Sequence, residues 1–455
     1  MMQTGLARSF GSSIGAMFER LRIRGCVLRL PLAGSRLPRT LRLRKGLSRR
    51  PDWRKRRFGG ASIHRIITVA IVALAAAFSL PAGAEVLIGA AGPVTGQLAW
   101  VGGQMERGAE MAVAEVNEAG GVLGQQVRLI TVDDFCDPEQ AMAAAQKLVA
   151  DGVVFVVGHM CSESSIPASK VYEAAGILQI SPSSTNPMLT EQGRANVFRV
   201  IGRDDAQGTV AGNYLADHWA DKKIAILHDR TTYGKGLADE TRKQLNQRGV
   251  TEAIYEAYDP GKTDYSSEIA ALEATDIAVL YLGGRYDAAA LMLRAAHDRG
   301  YALQLVSGDA MSTEEFGLIA GPAAEGTLFT FVPDPRRNPE AALVVEQFRS
   351  ENFEPEGYTL LSYGAVQVWA RAVEKAGSLE PQAVVASLRN NQFETVWAVS
   401  TLTTRAILRP RAWFGTSGGV ERTCRQNKNP PIAGALVEAS DAGQVSAIVQ
   451  INASL

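Results

Sequence analysis

After the apolar run VVFVVGHM the chain reads Cys161, Ser162, Glu163, Ser164, Ser165, Ile166, Pro167 and then the helical pattern ASKVYEAAG. Ser162 is therefore expected at or next to a helix N-cap, with Pro167 in the first turn, where a missing N–H costs little. A hydroxyl beside the unpaired N–H groups and positive dipole of a helix start suits an anion such as a carboxylate. The plainer alternative is that Ser162 only caps its own helix. The next strand-like run, ILQIS, ends in Pro182, Ser183, Ser184 and Thr185. Two such clusters, one strand apart, favour a binding site over a cap.

Other chemistry finds little support. His159 and His228 fall at strand ends, but each stands without a second ligand at metal spacing, so both are expected to orient loops by hydrogen bonds. There is no G-x-S-x-G elbow, no P-loop and no dinucleotide fingerprint; YGKGLAD lacks the third glycine. No catalytic residue, metal or cofactor is expected, and the chain does not read as an enzyme.

The elements that must position these clusters alternate regularly: EVLIGAAG, a helix around MERGAEMAVAEVNEAGG, QVRLITVDD, a helix PEQAMAAAQKLVADG and VVFVVGHM. This alternation predicts a doubly wound parallel α/β sheet, in which ligands bind outside the strand C-terminal ends. A second series begins near Asp204 with TVAGNYLADHWA, KIAILHD, GLADETRKQLNQRG, TEAIYEAYD, IAVLYLGG, DAAALMLRAAHDRG and LQLVSGDA, and predicts a second wound sheet.

From about Glu85 to Val396, through GP.TG, G..MAV.E.N..GG, DD.CDP, GH.CS, SPSST, HD..YG.G and SYGAV, the chain resembles the periplasmic branched-chain amino-acid-binding proteins of ABC transporters, with the type I periplasmic binding fold. The resemblance implies two lobes joined by hinge crossovers near Arg203 and Val332, with residues 85–203 plus 332–396 forming lobe 1 and 204–331 lobe 2. It implies a disulfide between Cys136 and Cys161, and an α-carboxylate held by Ser162 and Thr185 with Ser183 beside them. Asp309 would meet the α-ammonium, while Tyr233 and Tyr358 would line the cleft, with Trp100 and Val101 offered near the family's first-loop Tyr. The implied ligand is an amino acid, branched-chain type first, or a related carboxylate. The implied partners are an inner-membrane permease and ATPase complex, with the binding protein itself a monomer. A sensor or receptor domain for amino acids or amides is the rival reading; such chains usually carry a fused signalling domain or act in the cytoplasm.

Two departures touch the pocket. Asp309 keeps the family's charge but is one methylene shorter than its Glu. Arg285 stands in GGRYDAA where the branched-chain binders have an aromatic, and an unpaired guanidinium facing an aliphatic group would be costly. It could pair with an acidic or amide side chain or turn to solvent beside Asp287; the solvated option is preferred, since arginines are mostly surface residues.

Length and apolar fraction suit two or more α/β domains. The formal net charge of zero conceals an asymmetry: residues 1–84 hold 17 Lys/Arg and 2 Asp/Glu, so the remainder, with 30 and 45, carries −15. An acidic body argues against nucleic acid as a partner. RKRRF and Arg65 precede IITVAIVALAAAFSL and PAGA, the three-part pattern of a secretory signal over 63–84, with cleavage expected after Ala84 and a periplasmic product. Residues 1–62 form a basic extension that is not expected to be native, the true start lying near residue 63. Export suits a disulfide, which could contribute roughly 3 to 4 kcal/mol; two independent buried thiols are the alternative.

The resemblance stops after FETV. Read from the third base of each codon, Trp397 to Arg409 permits G-G-I-D-F-D-D-K-G-D-L-E, close to the family's usual continuation, so 397–455 is expected to be a frameshifted tail that leaves sheet edges open.

Overall fold

The computed structural model describes residues 85–396, together with the backbone of four later strands, 398–402, 408–410, 433–439 and 447–452. The expected N-terminal extension and signal segment, and most of the expected tail, lie outside the described residues.

The first series builds as β1 (Val86–Gly92), α1 (Ala99–Glu118), β2 (Val127–Asp133), α2 (Pro138–Ala150), β3 (Phe155–Gly158), α3 (Ser162–Ala175), β4 (Leu178–Ser181), the short α4 (Met188–Glu191) and β5 (Val197–Arg199). Its sheet has the order β2-β1-β3-β4-β5. All four pairings are parallel. The central strands are buried along nearly their whole length, which is why they read as continuous apolar runs rather than alternating ones. Helix starts follow local chemistry: Asp137 caps α2 by accepting from Glu139 N and Gln140 N, both at 2.9 Å, with Pro138 at N1.

Strand order reverses between β1 and β3, so the loops after these strands frame a crevice. The loop after β1 folds tightly onto the start of α1: a Cβ on Gly102 would lie 2.0 Å from Pro93 O, so only glycine fits.

The second series runs α5 (Asp204–Trp219), β6 (Ile224–His228), α6 (Thr232–Gln247), β7 (Ile254–Ala257), α7 (Ser266–Ala274), β8 (Val279–Gly283), α8 (Tyr286–Asp298), β9 (Gln304–Ser307), α9 (Glu314–Ala320) and β10 (Leu328–Phe331). Its strands β7-β6-β8-β9-β10 repeat the topology of the first sheet, with the reversal between β6 and β8. The chain passes between the sheets at 199–204 and again after β10, then adds α10 (Ala342–Ser350), α11 (Thr359–Ala376) and α12 (Pro381–Asn390). Helix α11 is buried around most of its circumference, lies against α1, and stacks Trp369 on Phe155 of β3 with ring centroids 5.1 Å apart. It therefore belongs to the first lobe although it is distant in sequence.

Beyond α12, β11 (Gln392–Thr395), β12 (Ala398–Leu402) and β13 (Leu408–Pro410) form a small antiparallel sheet. Strands β14 (Ala433–Ala439) and β15 (Ala447–Asn452) extend the second sheet, β15 pairing antiparallel with β10. The described pieces of the expected tail thus cover the edge of β10.

Candidate functional site

The two crevices face each other. A cavity with about 480 Å³ of empty volume, partly open to solvent, is lined from the first lobe by Leu98, Val101, Met160, Cys161, Ser162, Glu163, Ser183 and Tyr358, and from the second by Tyr233, Arg285, Tyr286, Asp309 and Ala310. Six of the eight expected contact residues are among them: Ser162, Ser183, Tyr233, Arg285, Asp309 and Tyr358.

On the first lobe, Cys161 is the N-cap of α3 and Ser162 its first helical residue. Ser162 thus stands next to the cap, and Pro167 falls inside the helix rather than in its first turn. Ser162 Oγ accepts from Asn186 N at 3.2 Å, which leaves its own hydrogen available for an acceptor. Its backbone N–H belongs to the first turn of the helix, where intrahelical acceptors are lacking. Most of the other hydroxyls are committed: Ser165 and Ser181 each donate to His159 O at 2.8 Å, and Ser183 donates to Met160 O at 2.8 Å. They stitch the two strand-end loops together. Ser183 therefore offers the cavity an acceptor rather than a donor.

The same loops are fixed from behind. His159 Nδ1 lies 2.6 Å from Asp134 Oδ2 and Nε2 lies 2.8 Å from the Tyr172 hydroxyl, all three side chains buried. Asp134 also accepts from Cys136 N at 2.9 Å, next to the Cys136–Cys161 disulfide, whose Cα atoms are 5.4 Å apart. His228 likewise orders its loop, accepting from Arg230 N at 3.2 Å.

On the second lobe Asp309 is buried and heavily bonded: Oδ1 accepts from Gln207 Nε2 at 2.8 Å and from the Tyr233 hydroxyl at 3.0 Å, and Oδ2 accepts from the Tyr358 hydroxyl at 2.8 Å. Burial raises its pKa, and the bonds from Gln207, Tyr358 and Tyr233 oppose that shift. Asp204, the first residue of α5, was not singled out by sequence reasoning. It is fully buried, and its pKa is raised well above the usual range by burial and then by Asp309, against the opposing pull of the Thr185 hydroxyl beside it. Two buried acids that repel each other form a natural seat for a cation. The signal was available in the adjacent acids of GRDDAQG, just where the chain enters the second lobe.

Thr185 does not line the cavity. It is buried, its Oγ1 beside Asp204, while the buried Arg199 guanidinium grips the neighbouring carbonyls Ser184 O and Asn186 O at 2.6 and 2.7 Å. Burial lowers the pKa of Arg199 to about 9. Trp100 is also displaced: it is 43% exposed and donates Nε1 to Glu356 Oε1 at 3.2 Å. Successive helical residues point about 100° apart, so Val101 faces the cleft instead.

Arg285 corrects the expectation of a solvated side chain. Its guanidinium is mostly buried, lines the cavity and pairs across the cleft with Glu163, not with Asp287. Its position is set by the preceding glycine, where a Cβ would lie 1.9 Å from the Tyr258 hydroxyl. Further polar contacts cross between the lobes: Tyr286 OH lies 2.9 Å from Gln97 O, and Asn186 Nδ2 donates to Thr232 O at 2.9 Å.

Two wound sheets closing on a small cavity, with a helix start and hydroxyl on one side and an acid on the other, define a two-lobed solute-binding architecture. The chain belongs to the periplasmic binding protein family, whose sequence profile matches residues 85–415. It is 51% identical over 328 residues, 71% of this chain and 88% of the relative, to a Leu/Ile/Val-binding protein homolog 1 from Brucella suis. It is similar in structure to a leucine-binding protein, LivK, from Thermotoga maritima, with a TM-score of 0.65 and 26% identity over 71% of this chain and 93% of that one. A branched-chain amino acid transporter substrate-binding protein, LivJ, from Streptococcus pneumoniae, solved with isoleucine, matches at TM-score 0.65 and 25% identity over 72% of this chain and 94% of that one.

Proposed function

We propose that this chain is the extracytoplasmic solute-binding component of an ABC importer, that it traps an amino acid between its lobes, branched-chain residues included, and that it delivers the ligand to a membrane permease. One observation carries the reading: the cavity sets Ser162 and the N–H groups of a helix start opposite the buried Asp309, the polarity an α-amino acid zwitterion needs. The carboxylate meets neutral donors and a helix dipole. The ammonium meets Asp309, with Asp204 behind it. Leu98, Val101, Met160 and Ala310 supply an apolar wall for the side chain.

A ligand touching both lobes stabilises the closed arrangement by its differential affinity alone, and that shape is what a permease can recognise. No bond is made or broken. Thermal-shift screening against the free L-amino acids tests the proposal: a ligand at 100 times its dissociation constant stabilises the fold by about 2.7 kcal/mol. No shift with any amino acid would end it.

A further inference from the structure

One wall of the cavity brings a cation, Arg285, against an acid, Glu163, and a second acid, Asp229, lies near Arg285 outside the lining. Arg285, the N-cap of α8, donates Nη2 to Glu163 Oε1 in the first turn of α3, across the cleft. Asp229, after β6, turns Oδ1 back to its own loop, accepting from Thr231 N at 2.9 Å and Thr231 Oγ1 at 2.6 Å. Glu163 Oε2 and Asp229 Oδ2 are buried with no hydrogen-bond partner among the described residues. Desolvation raises the pKa of both acids, against the pull of Arg285. Of the five guanidinium N–H donors, one is engaged by Glu163 among the described residues.

Each class of ligand side chain meets this cluster differently. An aliphatic chain fills the apolar wall but leaves Glu163 Oε2 without a donor. A carboxylate gains Arg285 but faces Glu163, and a cation gains Glu163 but faces Arg285. A carboxamide carries a donor and an acceptor on separate atoms at one end. It can give N–H to Glu163 Oε2 and take N–H from Arg285, with the ion pair left in place.

We propose that the Arg285–Glu163 pair is a specificity element that extends this cleft to amino acids ending in a carboxamide, of the glutamine type. The proposal rests on the reading that the cleft holds an amino acid. Calorimetric titration of the full chain with L-glutamine and with L-leucine tests both. The single variants leave a buried charge unpaired, so the informative one is the double variant Glu163→Leu with Arg285→Met, which replaces the pair with apolar groups of similar length. Its folding is checked by circular dichroism and melting.

In the native chain glutamine is expected to bind at least as tightly as leucine, and in the double variant the glutamine-to-leucine affinity ratio is expected to fall tenfold or more. Leucine binding without glutamine binding, or an unchanged ratio in a folded double variant, overturns the specificity role and leaves the amino-acid reading intact. Binding of neither overturns the specificity role, and the screen against all the free L-amino acids then decides the amino-acid reading.

Discussion

The two halves of the cleft solve opposite problems. At the carboxylate end the first lobe presents neutral groups, a helix start with one uncommitted hydroxyl, held rigid by serines bonded to His159 O and Met160 O; its charged group at the cavity, Glu163, is paired with Arg285. The second presents charge, with Asp309 and Arg285 at the cavity and Asp204 behind. An anion can be held by dipoles without a compensating cation, because a helix start already carries positive potential. At the ammonium end this chain uses a buried acid instead, and its desolvation is borne by the fold. The neutral half is built by local sequence; the charged half needs the second lobe to be in place.

If this division is right, the charged half is the more sensitive to substitution. Asp309→Asn should weaken amino-acid binding by 3 kcal/mol or more, about 100-fold, as for one partner of a buried pair, measured by calorimetry. Losing the disulfide, by Cys136→Ser with Cys161→Ser, should cost about 3 kcal/mol of folding stability in denaturant titration. That would mark the first lobe as the one whose rigidity comes from cross-linking. Ser162→Ala should weaken binding by about 1.5 to 3 kcal/mol, the value of a hydrogen bond to a charged group. An effect equal to that of Asp309→Asn would erase the asymmetry.

The halves should also differ in pH response. The pKa of Asp309 is raised by burial, and a bound ammonium lowers it again, so binding releases a proton and affinity rises with pH through the raised pKa, by up to about tenfold per unit for one proton. In the ligand-free protein the sign reverses. Between the unfolded and the raised pKa the folded state holds more protons, so this group's contribution to stability falls as pH rises. Titrations in buffers of different ionisation enthalpy measure the proton release directly; proton uptake would contradict it. Trp100→Ala should be the mildest change, altering affinity less than twofold, since Trp100 bonds Glu356 outside the cavity.

The sequence carried the two wound sheets clearly, because buried parallel strands are continuous apolar runs and their helices start on readable caps. It also located the strand-end loops that form the cleft. What it could not separate was a hydroxyl that faces ligand from one that faces a carbonyl: Ser162, Ser165, Ser181 and Ser183 look alike in sequence, and only the register between β3 and β4 decides. Trp100 and Val101 differ by one helical step, which the start of α1 sets. Arg285 was expected in solvent because its partner, Glu163, is 122 residues away and on the other lobe. Contacts of that kind depend on how the lobes meet, which no local pattern encodes.

The most direct measurement compares one amino acid with its two halves. Calorimetric titration with L-leucine, with its deaminated acid 4-methylpentanoate and with its decarboxylated amine 3-methylbutylamine asks whether both poles must be gripped at once. Saturable binding of leucine is expected, with at least a 100-fold loss for each analogue, about 2.7 kcal/mol. Binding of either analogue as tightly as leucine would contradict a zwitterion held between Ser162 and Asp309.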